Sequence, residues 1–157
     1  MAEKKFQQKI LFLLGAPILG ITAYANQQKM FTTLQLIATL GAVVAFFPNL
    51  SETIKYSLMI SGVLLALFYL TKRKYFEQDK WGWLGSIGLI CIAFGFATDS
   101  NLSPFWFGFF LGLGGLIVAA YSAIGFFHYK IKIALIWLIL NIIFSIKHIL
   151  IFLKNLK

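Results

Sequence analysis

The chain has 157 residues, of which 60% are hydrophobic and only 12% are charged, and its formal net charge is +9. A soluble domain carries about 25% charged residues, so this chain has too few polar side chains to cover a soluble fold. The composition therefore excludes an ordinary globular domain, a disordered segment and a disulfide-framework peptide. The remaining class is an integral membrane protein.

Six apolar stretches approach the length of about 20 residues that a helix needs to cross a bilayer. They predict an all-α, polytopic helical membrane protein, a single integral membrane domain over 1–157. The connection 71–80 is the one long polar loop. In chain order, the predicted helices cover 10–25, 30–48, 53–70, 81–98, 105–127 and 131–153.

The ends of the first and fifth stretches resemble each other. Ala23-Tyr24 and Ala120-Tyr121 each precede a short basic link and a further helix. Many small carriers are built from a repeated three-helix unit, and this match is compatible with one.

The first stretch has two interpretations. Lys4, Lys5 and Lys9 followed by an apolar segment and Ala23-Tyr24-Ala25 have the pattern of a cleaved signal peptide. The next apolar stretch begins only about four residues later, which favours a retained first helix. Both interpretations stay open at this point.

Basic residues dominate the charge, with 14 Lys and Arg against 5 Asp and Glu. They lie in short runs between apolar stretches, as at an anionic membrane surface, and no nucleic-acid partner is predicted. With six spans, six lysines fall on the side of the N-terminus and seven basic residues on the other, so the count does not decide orientation. The run 72–74 favours an inside loop at 71–80, whereas the signal-like start favours the opposite orientation.

The acidic residues restrict the chemistry that the chain can perform. Proton-coupled carriers and ion pumps place Asp or Glu inside the membrane, where it holds and releases a proton or cation. Motifs of hydrolases, metalloproteases and nucleotide-binding proteins are missing, and Cys91 has no second thiol, so we expect no enzyme, no metal and no cofactor. All five acids lie in predicted loops or at helix ends: Glu3, Glu52, Glu77, Asp79 and Asp99.

A polar stripe on the sixth predicted helix is the main candidate site. Trp137, Asn141, Ser145 and His148 recur at spacings of four, four and three residues, which places them on one helix face. Facing the bundle, Asn141 and Ser145 could hydrogen-bond a small polar solute while Trp137 stacks on it. Alternatively, they bond to neighbouring helices and serve packing alone.

The second predicted helix carries a matching stripe of Thr32, Gln35 and Thr39. Threonine in a membrane helix usually bonds its own backbone, so Gln35 is the residue that most needs an outside partner. The candidate polar pocket therefore comprises Gln35, Thr39 and the stripe of the sixth helix. Because His148 is the one ionisable group in it, a neutral or weakly cationic solute fits better than an anion.

Small residues form a face on the fifth predicted helix. Gly108 and Gly112 begin it as a G-x-x-x-G motif, and small residues allow helix backbones to approach closely in a membrane. The face indicates tight packing, either within the chain or in a homodimer.

Two segments resemble a known family. Residues 20–47, GITAYANQQKMFTTLQLIATLGAVVAFF, and residues 126–148, FFHYKIKIALIWLILNIIFSIKH, resemble the two halves of small bacterial inner-membrane proteins of the YgjV type. These are similar in layout to the PQ-loop, SWEET and nicotinamide riboside carriers. The chain differs from those carriers in having Asn26-Gln27 near the place of the Pro-Gln pair. It also has six predicted helices where they have seven, so two copies would be needed to complete a path.

The sequence therefore favours a carrier-like protein of the bacterial inner membrane that binds or transports a small neutral solute between the second and sixth helices. The alternative is a non-transporting membrane protein, such as an accessory subunit or an immunity protein. For the carrier-like protein, the expected partners are the lipid bilayer, the solute and a second copy of the chain.

Overall fold

In a computed structural model of the chain, the described residues are 2–47, 49–98 and 103–156, and the side chains of 2–9, 11, 12 and 45 are left undescribed. This part of the chain is all-helical. Its helices are α1 (Ala2–Ala25), α2 (Lys29–Ala45), α3 (Glu52–Lys72), α4 (Tyr75–Gln78), α5 (Gly82–Ala97), α6 (Pro104–Phe127) and α7 (Ile133–Lys154).

The long helices correspond to the six predicted stretches, and their bounds agree within a few residues except at the start of α1. The short helix α4 lies inside the connection that the sequence presents as a polar loop. Of the predicted turns, the one at Pro48-Asn49 falls partly outside the described residues, and residues 99–102 of the next connection lie outside them.

Three of the helices, α3, α6 and α7, are long and apolar enough to cross a membrane. Shorter apolar segments of 10–17 residues cover Leu13–Ala25, Lys29–Val44 and Gly82–Ala97. The all-α membrane class is thus confirmed, whereas the number of six spans stays a prediction.

The helix ends follow local sequence signals. Ser51 caps α3, since its hydroxyl accepts a hydrogen bond from the Ile54 amide at 3.4 Å, and Glu52 adds negative charge to the first turn. Pro104 begins α6, where its missing amide hydrogen costs no helical bond.

The packing order places α2 and α5 at the centre of the bundle. The central helix α2 packs against α1, α3 and α5, and α5 packs against α3 and α6. The last helix, α7, packs along α6. Lys29, next to the connection 26–28, donates to Gln78, and Tyr129 donates to Asp79. The connections 26–28, 73–81 and 128–132 therefore meet at one end of the bundle, which we call the Asp79 end.

The outer surface of the bundle is apolar. The exposed side of α7 is made of Ile136, Ile139, Leu140, Ile143, Ile146 and Leu150, each at least 43% exposed. On α3, the exposed positions include Leu64, Leu65 and Phe68 at 61–69%. Apolar patches of this extent are typical of a surface that contacts lipid.

Candidate functional site

The predicted polar stripe of α7 forms most of the buried side of this helix. Trp137, Asn141, Ser145 and His148 are between 0% and 8% exposed, and Ala134 is the remaining buried residue. The face prediction is therefore confirmed. The helix is polar on the inside and apolar on the outside, the reverse of a helix on a soluble protein.

The polar groups of this stripe bond to their own helix. Asn141 Nδ2 donates to the Trp137 carbonyl oxygen at 2.8 Å, and Ser145 Oγ donates to the Asn141 carbonyl oxygen at 2.6 Å. His148 Nδ1 lies 2.7 Å from the Phe144 carbonyl oxygen. These bonds satisfy part of the polar demand without a second helix.

The buried stripe packs against the glycine face of α6. A β-carbon on Gly115 would collide with Ser145 Oγ. A β-carbon on Gly108 would lie 2.6 Å from the backbone nitrogen of Phe152 and 2.8 Å from the His148 carbonyl oxygen. Within the chain, the small-residue face thus serves the contact with α7. A homodimer through Gly108 and Gly112 stays a prediction, and it would have to share this face with α7.

Trp137 reaches the neighbouring helix α2. Its ring stacks on Phe31 with a centroid separation of 5.0 Å and an interplanar angle of 12°. The indole is 3% exposed, and its Nε1 hydrogen has no hydrogen-bond acceptor among the described residues. An unsatisfied buried donor costs about 1–3 kcal/mol, so this N–H is a position where a bound polar group would add stability.

A second unpartnered polar atom lies at the same end of α2. Gln28 immediately precedes the helix, and its buried Oε1 accepts no hydrogen bond from the described part of the chain. Gln28 precedes Phe31 by three residues at the start of α2.

The two predicted residues of α2 lie one turn apart. Gln35 is 7% exposed, and α1 approaches it closely, because a β-carbon on Gly20 would be 3.1 Å from Gln35 Cβ. Thr39 donates to the Gln35 carbonyl oxygen at 2.7 Å. Among the described residues, no hydrogen bond joins this pair to the α7 stripe, and Phe31 on the same helix contacts α7 by stacking on Trp137.

A cluster that the sequence analysis missed lies at the Asp79 end. Asp79 is 8% exposed although it belongs to the predicted polar loop. Its Oδ2 accepts hydrogen bonds from the Tyr75 hydroxyl at 2.5 Å and the Tyr121 hydroxyl at 2.6 Å. Its Oδ1 accepts from the Tyr129 hydroxyl at 2.9 Å and the Trp81 amide at 2.9 Å. Asp79 thus lies in a connection, as predicted from the sequence, but the sequence did not predict that it is buried there.

Local structure explains how Asp79 is positioned. It lies directly after α4, and its side chain and its carbonyl oxygen both accept amide hydrogen bonds at the start of α5, from Trp81 and Gly82. A β-carbon on Gly82 would collide with the Tyr75 ring, so glycine is the residue that fits this position. Lys29 at the start of α2 holds Gln78, the residue before Asp79, because its Nζ donates to Gln78 Oε1 at 2.8 Å.

The environment shifts the pKa values of this cluster in opposite directions. Burial alone would raise the pKa of Asp79, but the hydrogen bonds from Tyr121, Tyr75, Trp81 and Tyr129 outweigh it and hold the pKa below its usual value. Burial, followed by the neighbouring Tyr121 and Asp79, raises the pKa of the Tyr75 hydroxyl far above its usual value. Asp79 is thus a carboxylate surrounded by neutral donors.

Tyr121 connects this cluster to the stacked pair. Its ring centroid lies 5.8 Å from that of Phe31, which in turn stacks on Trp137. The Asp79 cluster, the aromatic stack and the polar stripe of α7 therefore form one continuous region that begins at the Asp79 end. The spacing of Tyr75 and Asp79, one turn apart, was the sequence signal that could have pointed to this cluster.

Comparison with protein-family models, curated proteins and solved structures finds no match to this chain.

Proposed function

We propose that the protein is a carrier-like, non-enzymatic protein of the bacterial inner membrane that binds a small neutral solute between α2 and α7, close to the Asp79 end. The observation that carries this proposal is the Trp137 Nε1 hydrogen, which is buried and unpartnered among the described residues. The layout resemblance to YgjV-type proteins and to PQ-loop and SWEET carriers agrees with it.

The chemistry of the region favours a neutral solute that both donates and accepts hydrogen bonds. Trp137 Nε1 offers a donor and Gln28 Oε1 an acceptor. The nearby Asp79 carboxylate already accepts four hydrogen bonds, so it does not require a cationic ligand. The amides of Gln35 and Asn141 would extend the polar contacts towards the middle of the bundle.

The Trp137→Phe variant tests the proposal, because phenylalanine keeps an aromatic ring against Phe31 and removes the N–H together with the second ring of the indole. We expect the variant to fold, with a melting temperature lowered by a few degrees without ligand, because the smaller ring leaves a cavity in the buried region. A set of nucleosides, vitamins and sugars is then screened for thermal stabilisation of the wild type. We expect one of these classes to stabilise the wild type and Trp137→Phe to lose that stabilisation.

A matched control is Trp106→Phe, which alters an exposed tryptophan at the opposite end and should keep the stabilisation. Gln35→Leu and Asn141→Leu extend the test along the pocket. If both variants fold and keep full solute binding, the pocket is excluded.

A second candidate function is that of a non-transporting accessory subunit or immunity protein. Asn141, Ser145 and His148 favour this alternative because each bonds to its own helix. Their polar groups therefore have partners without a solute, and their role would be packing alone. Under this alternative, no member of the solute set stabilises the protein, and it co-purifies with a larger membrane complex.

A further inference from the structure

Two basic connections that are distant in the sequence meet at the Asp79 end. The last residue of α3 and the connection that follows it contribute Lys72, Arg73, Lys74 and Lys80, and the connection between α6 and α7 contributes Lys130 and Lys132; all six side chains are exposed. We call them the basic surface.

Asp79 joins these two connections. It belongs to the first, and it accepts hydrogen bonds from Tyr121 near the end of α6 and from Tyr129 in the second. These hydrogen bonds therefore hold the two basic connections side by side at the Asp79 end.

Little within the two connections neutralises this charge. Lys74 Nζ lies 3.9 Å from Glu77 Oε2, and both side chains are more than 70% exposed, so this ion pair contributes little. Arg73 lies over the Tyr69 ring at 5.8 Å, which leaves its charge available. Glu77 is the one exposed acid against six cations in these connections.

Two of the lysines adopt a backbone conformation that disfavours a side chain. Lys74 has φ 51° and Lys130 has φ 57°, both in the left-handed region where helices normally end on glycine or asparagine. Directly after Lys130, the Ile131 amide donates to the Gly125 carbonyl oxygen at 3.0 Å, so the chain turns back onto the end of α6 at this residue. A β-carbon is disfavoured in this conformation, so the charge is present at positions where glycine would suit the fold better.

Aromatic side chains surround the basic surface at the level where the helices begin and end. Trp81 and Trp83 are 43% and 52% exposed at the start of α5, and Phe127 at the end of α6 is 64% exposed. Exposed tryptophans at helix ends are typical of the lipid headgroup level of a membrane. We therefore expect the cations to lie at the depth of the lipid phosphates.

We propose that the basic surface binds the phosphate groups of anionic lipids in the adjoining leaflet. Complementary charge, the position of the tryptophans and the spread of the cations over two connections all fit a lipid surface. Because the cytoplasmic leaflet is the strongly anionic one, this binding places the Asp79 end on the cytoplasmic side. The count of basic residues in the sequence alone does not decide this orientation.

The first test compares phosphatidylglycerol with phosphatidylcholine. Dissociation constants for the full chain in detergent are measured by native mass spectrometry, and we expect preferential binding of phosphatidylglycerol. Each lysine near an anionic surface contributes about fivefold in affinity, so Lys72→Gln with Lys132→Gln should weaken the binding of phosphatidylglycerol roughly 30-fold. The control pair Lys55→Gln with Lys154→Gln removes equal charge at the opposite end and should change binding less than about twofold.

A second variant separates binding from folding. Glycine adopts the left-handed conformation without a steric cost. The double variant Lys74→Gly with Lys130→Gly should therefore maintain or raise the melting temperature, while its affinity for phosphatidylglycerol falls. The proposal is overturned if both lipids bind equally, if the control pair weakens binding as much as the test pair, or if this glycine variant keeps full affinity. It is also overturned if millimolar inorganic phosphate displaces the lipid, since the site would then serve a soluble anion.

Discussion

Asp79 is a residue at which we expect the stability of this protein to depend on pH. It is buried, it carries a lowered pKa, and three tyrosine hydroxyls and one backbone amide donate to it. In a protein with 60% hydrophobic residues, such a carboxylate is an exception. Hydrogen bonds to a charged group contribute about 1.5–3 kcal/mol each, so the cluster stabilises the closure of the Asp79 end.

The pKa shifts predict a stability maximum with a decline on both sides. The folded-state pKa of Asp79 lies below its usual value near 4, so its contribution is present above that pH and is lost as the pH falls through the folded-state pKa. The pKa of Tyr75 is raised, so its contribution is complete below about pH 10 and is lost as the pH rises further. Melting temperatures measured across this range at constant ionic strength in detergent test both limbs.

Asp79→Asn should flatten the acid limb and lower the stability at neutral pH by about 2–3 kcal/mol, because an amide accepts fewer hydrogen bonds and adds a donor facing the tyrosines. Glu77→Gln, at an exposed acid two residues away, serves as the control and should leave the melting temperature unchanged. An unchanged acid limb in Asp79→Asn would place the pH dependence elsewhere in the chain.

At the scale of elements, the contact between α6 and α7 determines what the predicted polar stripe does. Gly108, Gly112 and Gly115 let the backbones of the two helices approach, and Ser145 fits against the space that Gly115 leaves. Within a membrane no hydrophobic force drives helices together, so close backbone packing is the main source of their association. The stripe on α7 thus has a packing role along most of its length, and Trp137 is the member that reaches α2.

This contact predicts an asymmetry between glycine substitutions. Gly108→Ala places a β-carbon against the backbone of α7, which cannot yield as a flexible side chain would, and should destabilise the protein by about 1–3 kcal/mol. Gly15→Ala in α1 meets nothing within 4 Å and should stabilise the protein by up to about 1 kcal/mol through helix propensity. Unfolding of both variants in parallel measures the difference, and equal effects would contradict the α6–α7 packing.

At the scale of the whole molecule, the two ends of the bundle differ. The Asp79 end gathers three connections, the buried carboxylate and the basic surface, whereas the opposite end of α3 carries Lys55. The hydrogen bond between Asp79 and Tyr129 requires the connections 73–81 and 128–132 to lie on the same side of the membrane. If α3 crosses the bilayer, Lys55 lies on the other side.

Labelling of single cysteines tests this arrangement in a Cys91→Ala background. With a membrane-impermeant maleimide, Lys80→Cys and Lys130→Cys should react from the same side, and Lys55→Cys should react from the opposite side. Inside-out and right-side-out vesicles give both readings. Opposite sides for Lys80→Cys and Lys130→Cys would contradict the joined connections.

Local patterns in the sequence were sufficient to predict several features of the fold. The membrane class follows from composition, because a chain with this little charge cannot cover a soluble surface. The helix bounds and the inward face of Trp137, Asn141, Ser145 and His148 follow from apolar runs and from a period of 3.6 residues. All of these depend on residues that are near one another along the chain.

The partners of these residues were decided by tertiary structure alone. Asp79 is bonded to Tyr121 and Tyr129, which are 42 and 50 positions away, and Phe31 and Trp137 meet from opposite halves of the chain. A single sequence does not encode such pairings in any local period, because they depend on how separate helices dock. The sequence therefore determines that the protein lies in lipid and which faces turn inward. Only the docking of the helices determines that a carboxylate is buried at one end and that two basic connections form one surface.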